Sequence, residues 1–154
     1  MAPIELRNVE NRVPYLNDLL LADEDESVVK TYINQGILYA IALDKKEVGV
    51  CLFTFPTPKT VEVKNIAVRE AFRGRGIGKE VLKQAFKRFA PSHEKMIVGT
   101  SNSSIDNIAF YQKAGFRFHH IKKGFFLKYS EPFYENGIQG VDMIVFCKQL
   151  TELK

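Results

Sequence analysis

The chain has 154 residues, of which 45% are hydrophobic, so it is long enough and apolar enough for one globular domain with a core. Lysine and arginine exceed aspartate and glutamate by 22 − 18 = 4, and residues 64–88 alone hold eight cations against Glu70 and Glu80. Nothing in the composition requires a second domain, so we predict a single domain over residues 1–154.

In chain order, the sequence predicts a strand, two helices and three strands before the first long helix. Gly36 is the stop signal of the second helix, and the polar residues 44–47 form the turn of a hairpin. The predicted ranges are 4–9 for the first strand, 14–22 and 27–35 for the helices, and 36–43, 48–55 and 61–68 for the strands.

The second half continues the alternation of helices and strands. A helix is predicted over 78–89, with apolar residues on its core side and lysines on its exposed side. A strand at 96–100, a helix at 104–114 stopped by Gly115, and a strand pair at 116–128 and 142–148 follow. The predicted order is β-α-α-β-β-β-α-β-α-β-β, a mixed sheet of the α/β (α+β) class. The predicted core residues of the long helix are Ile77, Val81, Leu82, Ala85, Phe86 and Phe89.

The strand predicted at 61–68 has an irregular alternation. Val61 and Val63 are two residues apart, as are Ile66 and Val68, but the phase of the alternation slips by one residue between the two pairs. A β-bulge near residues 64–65 accounts for that slip. We therefore predict a bulged strand.

Residues 73–79 read Arg-Gly-Arg-Gly-Ile-Gly-Lys and are called the glycine loop below. Glycines let the backbone approach a ligand closely, while a following helix start and cationic side chains attract negative charge. The loop is not a P-loop, since Arg73 stands where glycine belongs and Glu80 where a hydroxyl belongs. Its glycine spacing also fails the dinucleotide fingerprint. Another phosphate-bearing ligand is predicted.

The remaining pattern, Arg-x-x-Gly-x-Gly over residues 73–78, resembles that of the GNAT superfamily of acyl-CoA-dependent N-acetyltransferases. Residues 104–116 resemble the family's later helix, with Tyr111 four residues before Gly115. The bulged strand agrees, because in the family this strand splays from its neighbour to admit the pantetheine arm. The resemblance covers residues 61–116. It implies the GNAT-type fold and transfer of an acetyl group from acetyl-CoA to a primary amine by direct attack in a ternary complex.

The resemblance implies a coenzyme A site on the glycine loop and the bulged strand. Loop N–H groups would hold the pyrophosphate, with Arg73 and Arg75 adding charge. The family usually carries Asn seven residues before the tyrosine, where this chain has Ser104, so Asn102 and Asn107 are both kept as pantetheine contacts. The implied cofactor-binding residues are Ile66, Ala67, Val68, Arg73, Gly74, Arg75, Gly76, Ile77, Gly78, Lys79, Asn102 and Asn107.

The resemblance also implies catalytic roles. Tyr111 would be the general acid that protonates the departing thiolate, since a tyrosine pKa near 10 keeps that proton available. Its neighbour Phe110 is predicted to be the core residue, because only one of two successive helix positions faces the sheet squarely. Glu62 on the bulged strand is the candidate general base, with an exposed residue paired to a lysine as the alternative. A backbone N–H near Val68 would stabilise the oxyanion.

Two segments fall where the family builds its acceptor pocket, the acidic residues 23–26 and the aromatic and acidic residues 129–137. Carboxylates with aromatic rings suit a cationic amine. The acidic residues before Ser27 also serve the helix N-terminus, which is the plainer role. A polyamine, an aminoglycoside, a protein N-terminus and a lysine side chain all stay open as small-molecule or peptide acceptors.

Two other functions stay open. One is a non-catalytic acyl-CoA-binding regulatory module. The other is a nucleic-acid-binding protein that uses the basic residues of 73–88. The sequence lacks the aromatic motifs typical of RNA binding, so no nucleic-acid partner is predicted.

The remaining signals concern location, metals and assembly. Cys51 and Cys147 lie far apart without a Cys-x-x-Cys pair, which favours reduced thiols in a cytoplasmic protein. His93, His119 and His120 show no metal-ligand spacing, so no metal is predicted. The sequence has no apolar run long enough for a membrane span, so no membrane partner is predicted either. A homodimer through the final strand pair is left open.

Overall fold

The computed structural model describes residues 3–151, and its elements follow the predicted order with one small hairpin added. The helices are α1 (Leu16–Leu20), α2 (Glu26–Tyr32), α3 (Ile77–Phe89) and α4 (Ile105–Lys113). The strands are β1 (Ile4–Asn8), β2 (Ile37–Leu43), β3 (Lys46–Thr57), β4 (Thr60–Val68), β5 (Lys95–Ser101), β6 (Arg117–Lys122), β7 (Tyr134–Glu135), β8 (Ile138–Gln139) and β9 (Met143–Gln149). Seven strands form one mixed sheet in the order β1-β2-β3-β4-β5-β9-β6, and β7 pairs with β8.

Four predicted ranges differ from the structure because turns intervene. The helix predicted over 27–35 ends at Tyr32, and a turn leads from there to Gly36. The predicted first helix begins as a 3₁₀ turn at Val13–Tyr15. The first hairpin turns on Asp44 and Lys45 alone, both with positive φ, so Lys46 already belongs to β3. The strand predicted to reach residue 128 ends at Lys122, because Gly124 adopts φ 69° and its N–H bonds to Asp142 Oδ1 over 2.8 Å. That bond fixes the turn into the segment that leads to β7.

The bulge predicted in β4 is confirmed at Lys64. Leu52 pairs with Asn65 and Phe53 with Val63, so Lys64 has no partner on β3. β4 and β5 pair in parallel only from Thr60 to Val63 of β4. Beyond that point the described part of β5 no longer pairs with β4. The two strands splay apart where the bulge lies, and this opening positions the candidate site.

The bulge also changes which β4 side chains face which helices. Val61 and Val63 lie in the core beneath α3 and α4, so Glu62 between them faces α1 and α2. After the bulge, Ala67 is the residue that packs with α1 and α2. Helix α3 buries the six residues predicted for its core side, while Lys79, Lys83, Lys87 and Arg88 are exposed. That prediction is confirmed.

Within residues 3–151, no helix is long and apolar enough to cross a membrane. In the same residues, no three histidine, cysteine, aspartate or glutamate side chains are grouped to hold a metal ion. Cys51 and Cys147 are free thiols in the interior.

Candidate active site

A cleft of about 1320 Å³ follows the splay between β4 and β5. Its lining comes from the glycine loop, the splayed strand ends, α4, the acidic segment before α2, and residues 125–136. The cleft therefore joins the predicted phosphate-binding end to the predicted acceptor end. The sequence predicted both ends, and the sheet places them on one opening.

The backbone of the glycine loop is left-handed at two glycines, and the space beside both is unoccupied by other atoms of residues 3–151. Gly74 and Gly76 adopt φ 78° and 77°, the left-handed region that favours glycine, and a Cβ at either would meet nothing within 4 Å. Gly76 is the N-cap of α3 and supplies no side chain, so the first N–H groups of α3 have no side-chain cap. An anionic group is a natural partner for those N–H groups.

Gly78 lies at a close contact between two helices. A Cβ on Gly78 would lie 3.1 Å from Phe110 Cζ, so the start of α3 and the side of α4 approach closely there. Phe110 is thus half-buried against α3, whereas Tyr111 is the buried residue of α4. The prediction that Phe110 is the core residue was wrong, because Tyr111 is turned toward Phe116 and the sheet.

The three cations of the loop take different directions. Arg73 Nε donates to the carbonyl oxygen of Val68 over 2.9 Å, and Arg73 lines the cleft, as does the exposed Lys79. The Arg75 guanidinium lies over the Phe72 ring, 5.3 Å from its centre, and is outside the cleft lining. The structure thus places two of the three cations at the cleft.

The splayed edge of β4 offers backbone groups to a ligand. Ile66, Ala67 and Val68 all line the cleft. The N–H of Arg69 bonds back to Val48 over 2.8 Å. Because successive backbone groups of a strand point to opposite sides, the N–H of Val68 is turned away from β3 and toward the splay. The carbonyl of Val68 faces the same way, where it accepts the Arg73 bond.

Tyr111 presents a protonated hydroxyl to the cleft. Its ring packs edge-on to Phe116 with centres 5.8 Å apart, and only 5% of the residue is exposed. Within residues 3–151 no side chain or backbone group forms a hydrogen bond with its hydroxyl. Burial, with a smaller contribution from Cys51, raises the pKa of Tyr111 above its ordinary value of 10.0. The phenol therefore keeps its proton at neutral pH.

Glu62 reaches the cleft from the other face of the sheet. It is half-buried, lines the cleft and accepts a long hydrogen bond of 3.4 Å from Thr54 Oγ1. Tyr111 belongs to the α3 and α4 side of the sheet. The predicted base and the predicted acid thus approach the splay from opposite faces.

The two asparagines kept as pantetheine contacts are placed differently. Asn102 lies outside the cleft lining, and its Oδ1 accepts the N–H groups of Val141 and Asp142 over 2.8 and 3.0 Å. Asn107 lines the cleft and donates to Thr100 Oγ1 over 3.3 Å. Asn102 therefore fastens the loop before β9, and Asn107 is the asparagine of the pair that lines the cleft.

Ser104, which stands where the family usually has asparagine, bonds to the hairpin. Its hydroxyl donates to Glu135 Oε1 over 2.6 Å, and Ser103 donates to the same oxygen over 3.0 Å. Asn136 in the β7–β8 turn donates to the Ser103 carbonyl over 2.9 Å. The hairpin is thereby held against the start of α4, a contact that the sequence did not predict.

The acidic segment before α2 divides into separate roles. Asp25 is the N-cap of α2, accepting from the N–H groups of Ser27 and Val28. Glu26 pairs with Lys30 over 2.8 Å. The Ser27 hydroxyl and the other bonds to Asp25 hold the pKa of that carboxyl below its usual range. The plainer, helix-stabilising role is thus confirmed for Asp25.

Asp23 has a different environment. It accepts a hydrogen bond from the Tyr32 hydroxyl over 3.0 Å and longer ones from Tyr129 at 3.4 and 3.5 Å. Asn65 donates to Tyr32 Oη over 3.0 Å, which extends the chain of bonds to β4. The sequence did not predict Tyr32 or Asn65 at the site. The bulge is the signal for Asn65, since it turns that side chain toward α2.

Comparison with known proteins agrees with this geometry. The family model described as the acetyltransferase (GNAT) domain matches residues 34–118. The uncharacterized N-acetyltransferase YvbK of Bacillus subtilis strain 168 is 39% identical over 128 residues, which are 82% of this chain and 83% of that protein.

Solved structures give the same result over nearly the whole chain. A GNAT family acetyltransferase from Elizabethkingia anophelis with acetyl-CoA bound is 36% identical, with a TM-score of 0.86 over 96% of this chain and 97% of that one. A Bacillus subtilis acetyltransferase in complex with CoA is 35% identical, with a TM-score of 0.86 over 97% and 99%. The chain belongs to the GNAT family of acetyltransferases, with the fold that its sequence predicted. It is an N-acetyltransferase, and the bound neighbours support its use of coenzyme A.

Proposed function

We propose that this enzyme transfers an acetyl group from acetyl-CoA to a primary amine by direct attack in a ternary complex. The observation that carries the proposal is that the glycine loop, the splayed edge of β4 and Tyr111 all line the same cleft. One sheet supplies both ends of that cleft. This supports the further proposal that residues 1–154 act as a single domain.

In the proposed complex, coenzyme A lies along the splay. The N–H groups of the glycine loop bind its pyrophosphate, and Arg73 and Lys79 add positive charge from the cleft wall. The pantetheine amides bond to the backbone edge of residues 66–68 that β5 does not pair, as an added strand would. Asn107 is positioned beside this arm.

The proposed chemistry forms a C–N bond and breaks a C–S bond. The neutral amine nitrogen attacks the thioester carbonyl carbon, and the Val68 N–H stabilises the resulting oxyanion. Glu62 takes the amine proton, directly or through one water. When the intermediate collapses, the sulfur leaves with the electron pair of the C–S bond and takes the Tyr111 proton. No covalent enzyme intermediate forms.

The acceptor end favours a positively charged substrate, either a small molecule or a peptide. Asp23, Glu62, Glu131 and Glu135 line that end and outnumber its lysines, Lys64 and Lys128. The rings of Tyr32, Phe126, Tyr129 and Phe133 complete the lining. Positive charge at the loop and negative charge at the acceptor end would orient the two substrates in opposite senses. This supports a cationic amine as acceptor.

The test has two steps. Calorimetric titration first measures the binding of acetyl-CoA. A panel of primary amines is then screened for release of coenzyme A thiol. We expect acetyl-CoA binding and thiol release with at least one amine. Acetyl-CoA binding without amine-dependent release, on a broad panel, would overturn the proposed reaction.

A further inference from the structure

Asp23 is a half-buried carboxylate at the acceptor end of the cleft. It follows α1, faces Tyr32 of α2, and is reached across the cleft by Tyr129 from the segment after β6. The Tyr129 bonds are long, at 3.4 and 3.5 Å, and the Tyr32 bond engages one oxygen. An ionised carboxylate has about four acceptor positions, so this one keeps room for a further donor.

Asp23 has no cationic partner within the part of the chain that the structure describes. The ion pairs there join Arg7 to Glu5, Lys30 to Glu26 and Arg69 to Asp18. The ammonium of Lys64 stands instead over the Tyr32 ring, 5.3 Å from its centre. Burial raises the pKa of Asp23 above its ordinary value. A carboxylate taken out of water is stabilised when a cation pairs with it.

Asn65 supplies a second, independent feature beside Asp23. Only 5% of Asn65 is exposed, and it lines the cleft. Its Nδ2 donates to the Leu19 carbonyl over 2.9 Å and to Tyr32 Oη, which fixes the orientation of the amide. Its Oδ1 is buried and is without a hydrogen-bond partner among residues 3–151. An unpaired buried acceptor costs about 1–3 kcal/mol, and a donor from a ligand would recover that cost.

We propose that Asp23 and Asn65 together bind the ammonium group of the acceptor, with Asp23 as the residue that selects for positive charge. Asp23 supplies the ion pair and Asn65 Oδ1 accepts an ammonium N–H, while Tyr32 holds both side chains in place. The inference rests on the proposed amine acetylation and deepens it, because it assigns the choice of acceptor to one of the carboxylates in the cleft. Asp23 is here a substrate-binding residue. The acceptor binds as the ammonium ion, releases one proton to solvent, and then attacks as the neutral amine whose next proton Glu62 takes.

Asp23 also has a plain structural use, since its bonds to Tyr32 and Tyr129 tie two segments together. Loss of these two bonds would lower the stability of the protein and weaken the binding of every acceptor equally. Loss of an ammonium site would weaken the binding of charged acceptors and leave the binding of neutral ones unchanged. The ratio of the dissociation constants of a neutral ligand and its cationic isostere therefore distinguishes the two roles.

The experiment measures binding of benzylamine and of benzyl alcohol to the protein saturated with coenzyme A, by calorimetry at pH 7. Coenzyme A carries no acetyl group, so the measurement is independent of turnover. The wild type, Asp23→Asn and Asp44→Asn are compared. Asp44 is exposed in the β2–β3 turn, outside the cleft, and its replacement by Asn changes the charge equally.

We expect the wild type and Asp44→Asn to bind benzylamine at least about tenfold more tightly than benzyl alcohol, the effect of one charge-assisted hydrogen bond. Asp23→Asn should abolish that preference, so that benzylamine and benzyl alcohol bind with similar dissociation constants. Should Asp23→Asn fail to fold, Asp23→Ser keeps an oxygen for Tyr32 and serves the same comparison. A wild type without preference for benzylamine, or an Asp23 variant that keeps the preference, overturns the inference. Thiol release from acetyl-CoA in the amine screen is a separate readout, so either proposal can fail while the other stands.

Discussion

Arg73 and Val68 join the two halves of the cofactor site, because the Arg73 Nε donates to the Val68 carbonyl over 2.9 Å. The bond ties the glycine loop to the backbone edge of β4. The Val68 N–H, the proposed oxyanion donor, points toward the same opening. The position of the phosphate-binding loop and the position of the reacting carbonyl are thus coupled through one side chain.

The first prediction follows from this coupling. Arg73→Ala should weaken acetyl-CoA binding by about 10- to 100-fold, since a charge-assisted hydrogen bond is worth about 1.5–3 kcal/mol. Arg75→Ala is the matched control, and its effect should stay below about threefold because the Arg75 guanidinium lies over Phe72. Calorimetric dissociation constants decide the matter. Equal losses in both variants would show that Arg75 also reaches the phosphates.

A second prediction concerns the open space over the glycine loop. Gly76→Leu should abolish measurable acetyl-CoA binding. The leucine side chain would fill the space over the loop, where a Cβ at this position has no atom of the described residues within 4 Å. Gly137 in the β7–β8 turn has φ 73° and equally open surroundings, so Gly137→Leu is the control. Both variants should lose about 1–2 kcal/mol of stability from left-handed strain. If Gly76→Leu binds acetyl-CoA normally, the loop is not the phosphate site.

The third prediction is that Tyr111→Phe lowers kcat by about 10²- to 10⁴-fold, the usual contribution of a general acid. Acetyl-CoA affinity and thermal stability should change little, because no described protein group bonds to the hydroxyl that is removed. Thiol release at saturating substrates measures kcat. Full turnover by the variant would remove the role of Tyr111.

The raised pKa of Tyr111 gives the same prediction a pH test. Burial disfavours the phenolate in the folded state, so Tyr111 should stay protonated as pH rises through 10.0. The folded pKa is above the unfolded one, so the stability linked to this group is complete below the unfolded pKa and is lost at higher pH. The difference in absorbance near 295 nm between wild type and Tyr111→Phe reports the titration. An ordinary titration centred on pH 10 would contradict the buried placement.

The fourth prediction tests Glu62 as the base. Glu62→Gln should lower kcat/KM for the amine by about 100-fold, because the variant accepts no proton from the attacking nitrogen. The loss should shrink as pH rises, since more of the amine is then neutral without help. The pH profile of thiol release is the measurement, with the acetyl-CoA dissociation constant as control. A pH-independent loss would assign Glu62 to binding instead.

The fifth prediction separates the two asparagines. Asn102→Ala leaves two backbone N–H groups unpaired, so it should cost about 1–3 kcal/mol and lower the thermal midpoint by several degrees without changing acetyl-CoA affinity. Asn107→Ala should do the reverse, with weaker binding and nearly unchanged stability. Thermal unfolding with and without acetyl-CoA distinguishes them. The opposite pattern would restore Asn102 as the pantetheine contact.

Local patterns of the sequence were enough to predict the order of the elements, the core side of α3, and the bulge at Lys64. Each of these follows from interactions within a few residues: helical or strand periodicity, glycine conformation, and one slip of alternation. The family resemblance rests on the same kind of short, contiguous blocks. That is why residues 61–116 were sufficient to identify the class of enzyme.

Only the tertiary structure decided which members of those blocks reach the cleft. The direction of Arg75, the separation of Asn102 from Asn107, and the burial of Tyr111 rather than Phe110 all depend on neighbouring elements. The meeting of Asp23 with Tyr129 joins residues 106 positions apart. Such contacts arise when distant strands and loops pack on one sheet, and the periodicity of a single segment carries no information about them. The sequence by itself therefore determined the enzyme's class and the element order, while the packing of distant segments decided how its acceptor end is built.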